Sequence, residues 1–461
     1  MPHGDIAAAG DGRPRRASRR AGGPRVKIEL AVYNALLPAA GLAARIAAVW
    51  NGKIAEGLAG RRGLRERWLA GASRLERRSP LAWFHVSSVG EFEQAKPVMS
   101  LLAERPGGVE IALTFFSPSG MSYYERFDRS KRIEAISFVD YLPVDTPGNA
   151  RFCLDALRPD LLVYVKFDIW PNIVLEAAKR GVPQALVAGT LSPGSLRLSR
   201  IARGFYGGLY SRLGAIAAIS EEDAERFRRG VSGGVEITVA GDTRFDQVCR
   251  RIDTSTARPP GAVAAAGRSW IVAGSTWPKD EALVVSGFRS LRKERRGTGL
   301  ILVPHEPSVE RLAEIRRTLA SAGLPFRPLS SLGDDPPGED EVVVADGVGY
   351  LAELYRAGRI AYVGGSLTTG VHNVMEPAVL SLPVFFGPRI ANSYEARRLV
   401  DLGAAKIVRT GADFAREALA LLADPDLLAR TGETGSRFIR KHCGAAPRCV
   451  DLLETLLAGK R

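Results

Sequence analysis

Leu81-Ala82-Trp83-Phe84-His85-Val86-Ser87-Ser88-Val89-Gly90-Glu91 is where the fold becomes readable. A short apolar run from Leu81 to Ser87, closed by serines and a glycine, reads as a strand buried on both faces, with a helix to follow. The same unit recurs downstream. Glu110–Phe115, Leu161–Val165, Gln184–Val187, Ala215–Ile219 and Val235–Val239 read as strands, and Asn149–Leu157 and Ile173–Arg180 between them carry helical period. Ser220 with Asp223 three places on is a helix N-cap. Strand and helix in alternation predict a parallel, doubly wound sheet over 81–246. A stretch rich in Pro and small residues, 247–267, reads as a linker. The alternation then restarts with Ser269–Ala273, Gly299–Val303, Val342–Ala345, Ile360–Val363 and Val384–Phe386, separated by helices such as Pro278–Glu294 and Ser308–Ala322. A second domain of the same kind is predicted over 268–440, and a C-terminal helix over 441–461. The fold class is α/β, two Rossmann-like doubly wound domains facing a cleft. Ligands in such sheets bind at the carboxyl ends of the strands.

Composition agrees with this reading. The 461 residues are 46% hydrophobic and 25% charged, which excludes disordered, collagenous and disulfide-scaffold classes. Cys153, Cys249, Cys443 and Cys449 form no C-x-x-C pair or regular framework, so a reducing compartment is expected and a zinc ribbon is not. The net charge is +14, but residues 1–80 hold 16 Lys and Arg against 6 Asp and Glu, which leaves only +4 for the other 381 residues. No basic stripe interleaved with aromatics follows, so no nucleic-acid partner is expected. Residues 1–27 read as a disordered basic arm, and 28–80 as a membrane-associating helical segment. Within it, Leu30–Trp50 is apolar except for Asn34 and Arg45 and is interrupted by Pro38, short for a clean span. No small-residue cleavage site marks a signal peptide. The segment is expected to lie in the headgroup layer of an anionic leaflet, with Trp50 at the interface and Arg61, Arg62, Arg65 and Arg67 on phosphates. A capping helix with solvated charges is the alternative.

Three segments carry candidate chemistry. Glu91 follows a glycine just past a buried strand, which suits a general base and equally a carboxylate in the first turn of a helix. Ser117-Pro118-Ser119-Gly120 offers hydroxyls and amides to an anion or a sugar, or is a plain turn. Gly364-Gly365-Ser366, followed by His372-Asn373-Val374-Met375-Glu376-Pro377, suits a phosphate at a helix start near Asn373, with Glu376 accepting from ribose hydroxyls. Neither G-x-G-x-x-G nor a P-loop is present. His372 and Glu376 have the spacing of a metal pair but no third ligand nearby, so no metal is expected.

These segments, in order, resemble the Kdo (3-deoxy-D-manno-octulosonic acid) transferases, enzymes of lipopolysaccharide synthesis with the two-domain GT-B fold. The likeness runs from about Asn51 onward and rests on Ser88–Glu91, Ser117–Gly120, Tyr141–Asp145, Asp168–Asn172, Ser220–Asp223, Gly241–Asp246, Gly274–Thr276, Gly364–Ser366, His372-Asn373 and Glu376-Pro377. It implies transfer of Kdo from CMP-Kdo to a lipid A precursor (lipid IVA) at the cytoplasmic face of a bacterial inner membrane, with inversion and without cofactor or metal. By position, Glu91 resembles the base that deprotonates the acceptor, and Ser117, Ser119, Gly120 and Asp168 fall on the acceptor side. Arg244 stands where a lysine near the donor phosphate is usual. Pro304, His305, Val348, Gly349, Tyr350, Asn373, Val374, Met375 and Glu376 fall where the family binds CMP. The chain departs from the commoner pattern at Lys166-Phe167-Asp168, where many members have Glu-Thr-Glu, so Lys166 joins the catalytic candidates as a cation for a phosphate or carboxylate. His305-Glu306-Pro307 stands for Arg-His-Pro, and Tyr350 for a Glu. Another GT-B sugar-nucleotide enzyme, a different glycosyltransferase or an epimerase, and a non-catalytic membrane-associated sensor of sugar nucleotides are the competing readings.

Overall fold

The computed structural model describes residues 24–126, 133–254 and 259–459, so the expected basic arm lies almost wholly outside the described residues. The chain forms two compact units, Met1–Gly241 with Pro447–Arg461, and Asp242–Ala446.

The first unit is built on seven parallel strands: β1 (Leu81–Val86), β2 (Glu110–Phe115), β3 (Ile136–Tyr141), β4 (Leu161–Val165), β5 (Gln184–Gly189), β6 (Ala215–Ala218) and β7 (Glu236–Val239). Their order is β3-β2-β1-β4-β5-β6-β7. The chain therefore steps outward from β1 to β3 and returns to lay β4 on the other side of β1, which makes the carboxyl ends of β1 and β4 a topological switch point. Every residue of β1, β2, β4, β5 and β6 is buried. Fully buried parallel strands read as unbroken apolar runs, which is why these were legible.

The segment 28–80 is two different things. The helix Pro24–Ala47 runs unbroken through Pro38, and Val26–Ala47 is long and apolar enough to cross a membrane by length and composition. The expected interruption is absent. Ile28, Val32, Leu36, Leu42 and Ile46 are all more than half exposed. Gly52–Ala59 and Leu64–Ala72, by contrast, are parts of the folded body. Trp68 is fully buried against Trp83 and Phe138, and its indole donates to the Tyr141 carbonyl at 3.0 Å. The arginines expected on lipid phosphates are mostly engaged here. Arg61 donates to the carbonyls of Gly57, Phe116 and Leu142, Arg67 pairs with Asp140 at 2.8 Å, and Arg65 lies over the Phe152 ring.

The second unit has its own seven parallel strands: β8 (Ser269–Thr276), β9 (Thr298–Pro304), β10 (Phe326–Pro328), β11 (Val342–Val344), β12 (Gly358–Val363), β13 (Val384–Phe386) and β14 (Ala405–Ile407). The order β10-β11-β9-β8-β12-β13-β14 puts its switch point between β8 and β12. One face packs Ile271, Leu302 and Phe385 against Phe288 and Phe414, and the other packs Trp270, Val272 and Val343 against Leu354 and Tyr355.

Two boundaries differ from the sequence reading. The expected linker 247–267 begins as the second half of a helix, Thr243–Thr254, whose Phe245, Val248, Cys249 and Ile252 are buried in the second unit. Those positions form an i, i+3, i+4, i+7 stripe, which the Pro and small residues after it obscured. The chain thus passes between units after Gly241 rather than after 246. From Pro447 the last helix, Ala445–Ala458, belongs to the first unit: Arg448 donates to the Ala240 carbonyl at 2.8 Å, and Arg105 pairs with Asp451.

Candidate active site

In the first unit the candidate residues gather at the β1/β4 switch point. Ser88 caps the helix Val89–Glu104, accepting from the Glu91 amide at 3.3 Å, so Glu91 does occupy the first turn. Its carboxylate does not face solvent. It is 6% exposed and accepts from the Ser87 amide at 2.5 Å, while the Ser87 hydroxyl donates to Asp168. One serine thus holds both carboxylates. Burial pushes the Glu91 carboxyl above its ordinary range; the Ser87 amide and Lys166 oppose this without cancelling it, and Asp168 adds to the rise.

Behind them lies a polar network of buried and partly buried side chains. The Trp170 indole donates to His85 Nε2 at 2.8 Å, and His85 Nδ1 is 3.0 Å from Thr114 Oγ1, which also accepts from the Trp83 indole at 2.9 Å. Asp168 is 3.6 Å from the same Nε2. The indole contact has hydrogen-bond length and the carboxylate contact does not, so Nε2 is the acceptor and the proton is on Nδ1. The network fixes the loop that carries Asp168.

Lys166, directly after β4, has φ +63, a left-handed conformation unfavourable for any residue with a Cβ. Its amide donates to the Val187 carbonyl and its carbonyl accepts from Thr190, so sheet bonds hold the strain in place. A Cβ on Gly90 would lie 3.7 Å from Lys166 Nζ, which puts the ammonium beside the turn that bears Glu91.

The acceptor-side loop is a helix start. Ser117 accepts from the Gly120 amide at 3.1 Å, and its hydroxyl is 3.1 Å from that of Ser119. Gly120 is buried, and a Cβ there would meet Phe115 at 2.8 Å, so packing requires a glycine. Ser117 lies next to the switch point, its amide donating to the Ser87 carbonyl at 3.1 Å.

The second unit brings its own candidates to the carboxyl ends of β8, β9 and β12. Pro304 ends β9 and is buried; His305 is exposed. The His305 ring stacks on His372 with centroids 4.5 Å apart, and the Trp277 indole donates to His372 Nε2 at 3.0 Å. Burial and neighbouring His305 hold the His372 ring below its ordinary value, against the pull of Asp280, which agrees with Nε2 acting as an acceptor. Val348 and Tyr350 are exposed and Gly349 has φ +99. Asn373 accepts from the Met375 amide at 3.0 Å at the start of a five-residue helix, Met375–Val379; its N-cap Val374 and first residue Met375 are buried. Glu376 accepts from Arg251 at 2.8 Å. The glycine pair is demanded by packing: a Cβ on Gly364 would fall 2.2 Å from the Ser275 carbonyl, and one on Gly365 2.4 Å from that of Gly370. Arg244 belongs to this unit, where Asp242 and Glu395, each at 2.6 Å, take its Nη2 donors. Burial alone would lower the Arg244 guanidinium; the two carboxylates outweigh it and hold it above its ordinary value. Among the described residues no three His, Cys, Asp or Glu side chains could hold a metal ion.

Residues 62–247 match the family model described as 3-deoxy-D-manno-octulosonic-acid transferase (kdotransferase). The 3-deoxy-D-manno-octulosonic acid transferase of Bordetella pertussis is 30% identical over 394 residues, which is 82% of this chain and 89% of that protein. The chain belongs to the 3-deoxy-D-manno-octulosonic acid transferase family. It is an enzyme, a glycosyltransferase. The transferase of Haemophilus influenzae is 26% identical over 81% of this chain and 87% of its own length. Among solved structures, the UDP-GlcNAc 2-epimerase from Neisseria meningitidis, bound to UDP-GlcNAc, superposes with a TM-score of 0.54 at 13% identity, covering 82% of this chain and 100% of that one. At that identity the likeness is one of fold.

Sequence reasoning missed several residues of this transferase that the structure sets around the candidates: Ser87, the His85–Trp170 pair, Arg197, Arg251 and Trp277. None had a spacing signal. Trp170 lies 85 positions from His85, and Arg251 lies 125 from Glu376.

Proposed function

We propose that the enzyme moves Kdo from CMP-Kdo to a hydroxyl of a lipid A precursor, with inversion and without a metal, on the cytoplasmic face of an inner membrane. Family membership supports the transfer, and the observation that carries the chemistry is the buried Glu91 carboxylate with a raised pKa at the β1/β4 switch point. An acceptor hydroxyl attacking the anomeric carbon loses its proton as the C–O bond forms, and Glu91 takes it. The bond from that carbon to the CMP phosphate oxygen breaks on the opposite face, so a single displacement inverts the centre and CMP leaves as the phosphate. Ser87 orients the base, and Asp168 keeps Ser87 in place.

The second unit would hold the donor, with Asn373 at the start of its short helix and Glu376 toward the ribose. Arg251 keeps one oxygen of Glu376 occupied and fixes the direction of the other. Arg244 is neutralised by two carboxylates, so its support of the leaving phosphate is that of an oriented guanidinium rather than of a free charge. The exposed apolar face of Pro24–Ala47 supports attachment to the membrane that carries the acceptor. The test is the mass of the product formed from CMP-Kdo and a lipid A precursor: a gain of one or more Kdo units is expected, and no gain with pure, folded protein rejects the reading.

A further inference from the structure

We propose that Lys166 and Arg197 form a subsite for an acidic group of the acceptor, a phosphate monoester or a sugar carboxylate, held next to the hydroxyl that Glu91 deprotonates. This rests on the transferase reading above and adds the substrate chemistry that this chain selects.

The inference comes from how charge is distributed at the switch point. Two carboxylates, Glu91 and Asp168, stand beside two cations, yet the four do not pair. Ser87 satisfies the carboxylates, with its amide on Glu91 and its hydroxyl on Asp168. The cations keep their donors. Lys166 Nζ makes no hydrogen bond or ion pair among the described residues, although the ammonium lies against Gly90 and its field reaches Glu91. The Arg197 guanidinium carbon lies over the Phe167 ring, 4.5 Å from its centroid, and over that of Tyr206 at 5.1 Å, and its charge is felt at Asp168. Its Nε is buried and has no acceptor among the described residues. A buried donor without a partner is costly, and a guanidinium stacked on aromatic rings is pre-oriented for a planar or tetrahedral oxyanion.

The backbone adds a second argument. Lys166 keeps a left-handed conformation that Gly or Asn would adopt with less strain. Strain kept at a strand's carboxyl end, on a residue whose ammonium is otherwise unused, fits a side chain retained for what it binds.

The experiment uses the full chain with Lys166→Asn, which removes the ammonium while suiting the left-handed backbone, and Arg197→Gln. Transfer is measured with CMP-Kdo on the phosphorylated precursor, on the same precursor after removal of its phosphates, and on an acceptor whose acidic group is a Kdo carboxylate. Each substitution is expected to raise the acceptor KM about tenfold or more on one of the acidic acceptors, the loss expected for a charged hydrogen bond, and to leave the donor KM and the KM of the uncharged acceptor unchanged, while any change in kcat that Lys166→Asn causes through the Glu91 carboxyl is common to all three acceptors. The acceptor affected identifies the anion as phosphate or carboxylate. Equal KM effects on all three acceptors, or no KM effect on any of them, overturn the proposal. Inorganic phosphate supplies a readout without turnover: with CMP saturating, it should raise the melting temperature of the unaltered protein and not of Lys166→Asn. An equal rise in both also overturns the subsite. Absence of transfer by the unaltered protein, with the phosphate difference intact, rejects the transferase reading and leaves the anion site standing.

Discussion

As the proposed base Glu91 must be charged to act, and it sits where burial resists its charge. Two consequences follow at the scale of single residues. Glu91→Gln keeps the shape and the Ser87 contact but cannot take a proton, so kcat should fall about 10²–10⁴-fold while CMP affinity holds. In the unaltered enzyme the acid limb of kcat should lie above the ordinary glutamate range, because the base protonates at a higher pH than a solvated one. Stopped-time assays across pH check both, and near-normal turnover by folded Glu91→Gln removes it from the mechanism. Asp145 gives a stability test of the same physics. It is 1% exposed, and burial pushes its carboxyl to about 6 from 3.8, against bonds from the Asn172 and Ile173 amides and from Tyr33. A carboxyl raised in the folded state binds protons that the unfolded chain releases, so its contribution is greatest below about pH 4 and is lost as pH rises through about 6. The loss is about 3 kcal/mol. The difference in unfolding free energy between the protein and Asp145→Asn should change across that window and be flat above it. Glu91 could be read from the sequence because its glycine and strand are adjacent to it. Ser87 as a clamp and Arg197 as a cation could not, because their partners come from loops after other strands.

At the scale of elements, the apolar runs announced the central strands, and β3, β10 and β14 went unread. All three are edge strands, with half or more of their residues partly exposed in β3 and β14 and all of them in β10. An edge strand buries less, so its residues need not form an apolar run. The N-terminal helix shows the opposite case, apolar because its outer side is left uncovered. Tyr33 and Asn34 tie its inner side to Asp145 and Asn172, so substitutions on the outer side should leave the fold intact. Leu36→Asp with Leu42→Asp should therefore abolish sedimentation with anionic liposomes without lowering the melting temperature, and retained binding rejects the anchor. Removing everything before Arg78 would be a poorer test, because it takes away the buried Trp68. The helix Thr243–Thr254 also reaches the proposed donor site, where Arg251 pairs with Glu376. Arg251→Ala should raise the donor KM several-fold with little change in kcat, as expected when a ground-state contact is loosened, and Arg251→Lys should recover part of it.

At the scale of the whole molecule, the second unit is an insertion in the first. The chain leaves the first unit after Gly241 and rejoins it at Pro447. Leu453 is fully buried in the returning helix, and Leu456 packs over Gly214 in the first unit. Leu453→Ala should destabilise the first unit by about 2–5 kcal/mol, the usual result of a large-to-small change in a core. Urea unfolding followed by proteolysis should then show the segment 81–241 opening first, while 268–440 stays resistant. The order of synthesis gives this arrangement a further meaning. A ribosome making the chain releases the seven strands of the first sheet early, but their last buttress emerges only after the 205 residues of Asp242–Ala446 have been translated. The helix that completes the first unit is therefore made only after every residue of the second. A nascent chain stalled before Pro447 would carry all of the second unit's residues but lack the last helix of the unit that bears Glu91, the base proposed above.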